Sequence, residues 1–223
     1  QAKFPDEAAG FSMEGHIEWR RKNWEGAVAA YRKAVTRKQP GESAQRLHGS
    51  LVAAKKTAEA DQWAAEWRKS HPNDMIFVLH LGDIALAAGE AGQAEGLYRE
   101  VVVRQPENVP ARNNLAYALA SQKKAGAVAE AEQAYKRAPK SPEVLDTYAF
   151  TLATDNQLPK ALELQLQAVA LAPEVHLFRF QLARFYLQSG DKASARTELA
   201  RLAKAGAAFN RQPEVAEMQK QAQ

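Results

Sequence analysis

Apolar positions along the chain repeat at a fixed long interval. Ala27, Ala60, Ala94, Ala127, Ala161 and Ala195 are separated by 33 or 34 residues, within stretches whose charged side chains fall on the opposite face of a helical period. Eleven or twelve residues before each stands a second series, Gly15, His48, Gly82, Ala116, Ala149 and Ala183. Four residues after the first series come Tyr31, Ala64, Tyr98, Ala131, Gln165 and Leu199, and Pro40, Pro72, Pro106, Pro139 and Pro173 close the units. The pattern predicts a helix, a tight turn and a second helix over each of residues 8–40, 41–73, 74–107, 108–140, 141–173 and 174–204, boundaries approximate. Self-similarity at this period is the mark of a helical solenoid.

Physical reasons for these positions are simple. Two antiparallel helices approach closely only where side chains are small, so Gly or Ala on the first helix is expected to face Ala on the second. The larger residue one turn on is expected to fill the space between neighbouring units. Proline should stop each second helix, because it lacks an amide donor and disfavours helical geometry in the residue before it. Ser141-Pro142-Glu143 reads as a helix start, and Gly89 and Gly190 as left-handed helix ends inside a unit. The second unit is degenerate: His48 replaces the small residue, and Trp63 and Trp67 supply bulk. From Asn210 to Gln221, Val215 and Met218 form one apolar stripe with Glu214, Glu217 and Lys220 outward, as a capping helix requires. The other end shows no such cap, and the expectation is that repeats continue upstream.

The third unit, with Leu81-Gly82, Ala94, Tyr98 and Pro106 in register, resembles the tetratricopeptide repeat (TPR). The resemblance implies an all-α, right-handed α-solenoid of six TPR repeats plus a C-terminal capping helix at about 210–221, one domain over 1–223. It also implies a concave groove lined by the first helix of each pair. The family's groove places map onto Asn113, Asn114 and Tyr117, then Asp146, Thr147 and Phe150, then Gln181, Arg184 and Gln188. Tyr117 and Phe150 hold the same place in adjacent units, and aromatics with Arg dominate interface hot spots. They either face the groove or pack against neighbouring first helices. A second candidate patch is His16, Trp19 and Arg20.

Composition narrows the chemistry. A content of 46% hydrophobic and 25% charged residues is globular, and no apolar run reaches the length of a membrane-spanning helix. Cysteine is absent, which removes disulfides, thiolate metal sites and thiol catalysis. The net charge of +4 is modest and both signs are mixed throughout, so nucleic-acid binding is not expected. Arg20-Arg21-Lys22 lies where the first helix should end, a place that favours cations. His16, His48, His71, His80 and His176 lack ligand spacing and are read as structural or surface residues. With no phosphate loop, nucleophile elbow or metalloprotease motif, neither an enzyme nor a cofactor or metal site is expected.

Several segments read in order carry a narrower resemblance: Trp67-Arg68-Lys69-Ser70-His71-Pro72-Asn73-Asp74, Ala111-Arg112-Asn113-Asn114-Leu115-Ala116, Ala138 to Thr147, and Ser189 to Arg196. Together they are similar to the C-terminal part of the TPR-repeat lipoprotein group of the exosortase/PEP-CTERM sorting system. That resemblance implies a scaffold outside the cytoplasm, held by a lipid upstream of this chain and serving exopolysaccharide production or surface-protein sorting. The function expected is a protein or peptide partner held in the groove, with oligomeric state open. A carbohydrate-binding or polysaccharide-export accessory module, with Trp19, Tyr117 and Phe150 stacking on sugars, is one alternative, and a cytoplasmic peptide-binding adaptor is another.

Overall fold

The computed structural model describes residues 8–37 and 42–223, and every regular element among them is helical. Backbone proximity groups the chain into two compact units, one ending at His80 and one running from Leu81 to Gln223. The first holds α1 (Ala8–Arg20), α2 (Trp24–Val35), α3 (Ser43–Ala53), α4 (Thr57–Ser70) and the start of α5 (Met75–Ala87). The second holds the rest of α5, then α6 (Ala91–Arg104), α7 (Val109–Ser121), α8 (Ala127–Arg137), α9 (Pro142–Thr154) and α10 (Leu158–Leu171). It continues through α11 (His176–Ser189) and α12 (Lys192–Lys204), then a 3-10 turn at Gly206–Ala208, and ends in α13 (Gln212–Gln221).

The alanine series is the axis of the packing: Ala27, Ala94, Ala161 and Ala195 are wholly inaccessible, and Ala60 and Ala127 nearly so. Tyrosine takes a different place from the one expected of it. A Cβ on Gly15 would stand 2.6 Å from the Tyr31 ring, and one on Gly82 would stand 2.5 Å from Tyr98, so each ring lies over the glycine of its own pair. The helix pair closes by trading side-chain volume across one contact. Tyr31 still reaches the next pair, sharing a buried cluster with Leu47 and Leu51.

Left-handed residues form a series of their own. Lys22, Lys55, Gly89, Lys123, Asn156 and Gly190 all have φ between 55° and 83°, one in every turn between the helices of a pair. At five of the six turns the following amide closes onto the carbonyl five residues back: Asn23 to Glu18, Lys56 to Leu51, Glu90 to Ala85, Lys124 to Leu119 and Gln157 to Leu152, all at 2.8–3.0 Å. The sequence exposes this geometry only at Gly89 and Gly190. A left-handed lysine or asparagine costs about 1 kcal/mol, small enough for the closing hydrogen bond to offset.

Second helices end two residues before proline at Pro72, Pro106, Pro139 and Pro173, with His71, Gln105, Ala138 and Ala172 already out of helical geometry. Pro40 lies outside the described residues. Helix starts are capped by Asn108, whose side chain accepts from Ala111 N at 3.0 Å, by Ser141 from Val144 N and by Asp191 from Ser194 N. At the C-terminal end, Phe209, Val215, Met218 and Ala222 are buried with Leu199, Leu202 and Phe180. Polar clasps secure α13: Gln212 donates to the Leu202 and Gly206 carbonyls, and Arg196 to the Ala222 carbonyl at 2.7 Å.

Candidate functional site

In the second unit, α7, α9 and α11 are first helices of successive pairs, and their residues meet where the groove places fall. Tyr117 of α7 and Phe150 of α9 stack with ring centroids 5.1 Å apart and planes inclined by 29°. Tyr117 keeps 40% of its surface exposed, while Phe150 is half-buried. The rings pack on each other, and that of Tyr117 still faces solvent. Beyond Phe150 opens a cleft of about 890 Å³, bordered by Gln181, Arg184 and Gln188 of α11, Lys123 after α7, and Glu214, Glu217 and Met218 of α13. Arg184 donates to the Gln181 side-chain carbonyl at 3.2 Å.

On the other side of Tyr117 the amides form a relay. Asn113 donates to Asn114 at 3.2 Å, and Asn114 donates to Asp83 Oδ1 at 2.9 Å, where the Tyr98 hydroxyl also donates at 2.8 Å. The buried Asn113 Oδ1 accepts nothing. Burial and the bond to Asp83 hold the Tyr98 phenol protonated far above its ordinary range.

Two residues expected in the groove are elsewhere. Thr147 is 6% exposed and belongs to the interior of α9. Asp146 is withdrawn as well: Gln165 Nε2 of α10 donates to its Oδ1 at 2.6 Å and to the Phe178 carbonyl at 2.9 Å. Burial pushes the Asp146 carboxyl up to about 6; the Gln165 hydrogen bond opposes the rise and Glu143 adds to it. The cause is the residue in the tyrosine place of this pair. Gln165 is wholly inaccessible, its amide needs acceptors, and Asp146 and Phe178 supply them, although its own Oε1 accepts nothing.

The first unit brings its own candidate together. His16, Trp19 and Arg20 border a depression of about 420 Å³ with Met13 and Ile17, which are 60% and 45% exposed. Trp19 also meets Trp24 edge to face at 4.9 Å, so its ring is partly committed to packing. Sequence spacing missed one pairing altogether: His48 Nδ1 and His80 Nε2 lie at hydrogen-bond distance, 3.0 Å apart, with Phe77 edge-on to the His48 ring and tilted against that of His80. Burial, then the charges of His48 and Arg46, bring His80 down to about 4; burial also lowers His48, against the pull of Asp61. Their separation of 32 residues, close to one repeat, is the signal that could have found them. Among the described residues no group of three or more His, Cys, Asp or Glu could hold a metal ion, and no helix is long and apolar enough to cross a membrane.

Residues 79–143 match the tetratricopeptide-repeat family model. No curated protein matches the chain. Solved structures share the fold: a thermophilic TPR protein of Thermus thermophilus is 21% identical with a TM-score of 0.66, over 79% of this chain and 97% of that one. PilF of Pseudomonas aeruginosa is 16% identical with a TM-score of 0.71, over 96% of each chain. A chain of the APC/C hetero-tetramer Cut9–Hcn1 is 13% identical with a TM-score of 0.77, over 98% of this chain and 43% of that one. In fold the protein is a TPR-type helical repeat protein.

Proposed function

We propose that this chain is a non-catalytic scaffold that holds a protein partner on α7, α9 and α11, centred on Tyr117 and Phe150. The observation that carries the reading is the stacked, part-exposed aromatic pair at the edge of a cleft bordered by Phe150, Gln181, Arg184 and Gln188. Aromatic anchors beside a polar, arginine-bearing rim are the anatomy of a protein-binding surface. TPR proteins in general bind protein partners, and a structure sharing this fold is part of a hetero-tetramer. Asn113, Asn114 and Asp83 supply hydrogen-bonding groups beside Tyr117.

The setting belongs to the same proposal. Similarity to the exosortase/PEP-CTERM lipoprotein group favours an extracytoplasmic assembly concerned with exopolysaccharide production or surface-protein sorting. The test is affinity capture from the native host with the chain and with its Tyr117→Ala/Phe150→Ala variant, compared by quantitative mass spectrometry. Removing two anchors worth about 2 kcal/mol each should lower partner recovery at least about thirtyfold while the circular dichroism spectrum is unchanged. Undiminished recovery by the folded variant overturns the site. Titration of both proteins with soluble glycans tests the carbohydrate alternative, which requires saturable binding that the variant loses.

A further inference from the structure

The two units fill one place of the repeat with opposite chemistry. Tyr31 and Tyr98 lie alike over Gly15 and Gly82, each Cζ 2.7 and 3.0 Å from where a glycine Cβ would stand. In the second unit the residue after the glycine is Asp83, whose Oδ1 accepts from the Tyr98 hydroxyl at 2.8 Å and from Asn114 at 2.9 Å. In the first unit the residue after the glycine is His16, and Arg46, two before His48, holds the place that Asn114 holds two before Ala116. The acceptor is gone and the donors remain. Tyr31 is wholly inaccessible, its ring meets that of His16 at 5.8 Å, and its hydroxyl has no partner, which is costly for a buried group. Burial raises the Tyr31 phenol, the charge of Arg46 opposes the rise and Glu42 adds to it.

The charge around this place is in cationic surplus. Arg46 meets only Glu42, an exposed pair one turn apart at 3.3 Å. Arg20 has no hydrogen bond or ion pair among the described residues, and Glu18 of the same helix is held by Arg21 and Asn23. His16, Arg20 and Arg46 border the depression of about 420 Å³, and no acidic side chain borders it.

We propose that the first unit binds a doubly charged oxyanion of the phosphate class at the place that Asp83 fills in the second unit, with the Tyr31 hydroxyl, the His16 imidazole and the guanidiniums of Arg20 and Arg46 donating to it. Two guanidiniums match two negative charges. Donors carried by α1, α2 and α3 suit a tetrahedral anion better than a planar carboxylate. Rotation of the exposed His16 side chain opens the way to the Tyr31 hydroxyl. The site shares no residue with the partner surface on α7, α9 and α11.

The test is isothermal titration calorimetry of the whole chain with inorganic phosphate, phenyl phosphate and benzoate at one ionic strength and about pH 7.5, where phosphate is mostly dianionic. Saturable one-to-one binding of phosphate probes is expected, at least about tenfold tighter than benzoate. Tighter binding of phenyl phosphate assigns the site to an ester whose body lies on Met13 and Ile17, and tighter binding of inorganic phosphate assigns it to the free ion. Arg20→Gln and Arg46→Gln should each weaken binding at least about tenfold, and Tyr31→Phe, which keeps the ring over Gly15, about threefold to tenfold. His16→Asp restores the acceptor of the second unit. It should abolish phosphate binding and, without phosphate, raise the urea midpoint followed by tryptophan fluorescence. No saturable binding below about 10 mM, benzoate bound as tightly as phosphate, or affinity that survives Arg46→Gln, Tyr31→Phe or His16→Asp overturns the proposal.

Discussion

Asp146 makes the second unit less stable at neutral pH than it need be, and the effect can be worked out from its surroundings. Its carboxyl is buried, and its folded pKa is about 6 against an ordinary 3.8. The folded state therefore holds this proton more tightly than the unfolded chain. Between pH 3.8 and 6 the unfolded state binds fewer protons, so stability falls as pH rises through that window. At about 1.4 kcal/mol per pH unit, the charged form costs about 3 kcal/mol at pH 7.5 relative to pH below 4. Asn at this position keeps an oxygen for Gln165 Nε2 and carries no charge. Asp146→Asn should then stabilise the second unit by up to about 3 kcal/mol at pH 7.5, raising its melting temperature by about 6–12 °C, and by almost nothing near pH 4. Far-UV circular dichroism during thermal unfolding at the two pH values is the assay. All four tryptophans precede residue 81, so fluorescence follows the first unit separately. A substitution that leaves the pH 7.5 transition where it was, or raises both transitions equally, would refute the burial argument.

Acid should affect the first unit in the opposite sense. His80 is held at about 4, below its ordinary 6.5, so its stabilising neutral form is lost as pH falls from 6.5 towards 4; tryptophan fluorescence should show the denaturation midpoint dropping across that window, and His80→Gln should flatten the slope. Gly82→Ala should destabilise by about 1–3 kcal/mol in urea, because the new Cβ meets a Tyr98 ring that its bond to Asp83 holds in place. Gly96→Ala, with nothing within 4 Å of its Cβ, should instead stabilise by about 0.5–1 kcal/mol. Ala94→Leu, at a wholly inaccessible contact, should cost about 1–3 kcal/mol by overpacking. Lys55→Gly, at φ 59°, should raise stability by about 0.5–1 kcal/mol; a loss would mean that the closed turn carries no strain.

What the sequence made legible followed from side-chain size. Small residues at a 34-residue interval give helix pairs because close backbone approach excludes anything larger, and the second helices of pairs two to five stop before Pro72, Pro106, Pro139 and Pro173, since proline disfavours helical geometry in the residue before it. The turns were only half legible. Glycine advertises left-handed geometry, whereas Lys22, Lys55, Lys123 and Asn156 adopt it at a cost too small to constrain residue type. The candidate site was legible in part: Tyr117 stacks on Phe150, and Phe150, Gln181, Arg184 and Gln188 border one cleft, as the register places them. It failed at Asp146 and Thr147. A register fixes which way a Cα–Cβ bond points, but a buried amide one helix away decides where a carboxylate ends up.

That failure and the histidine pair have a common origin. Pairs one and three place Gly opposite Tyr, while the second pair reverses the sizes with His48 and Ala64, and the fifth sets Ala149 with Gln165. The alanine contact stays closed in these pairs, with Ala27, Ala60, Ala94 and Ala161 at most 1% exposed, so side-chain size is accommodated. Polarity is not. An imidazole or an amide put where a hydrocarbon edge or a tyrosine ring would sit must find partners inside the protein, because leaving it unpaired costs about 1–3 kcal/mol. His48 finds His80, and Gln165 finds Asp146. The perturbed titrations of His80 and Asp146 are therefore consequences of exceptions in the size pattern. In a repeat protein of this kind, a polar residue at a ladder position is the sequence signal for a buried titrating partner about one helix or one repeat away.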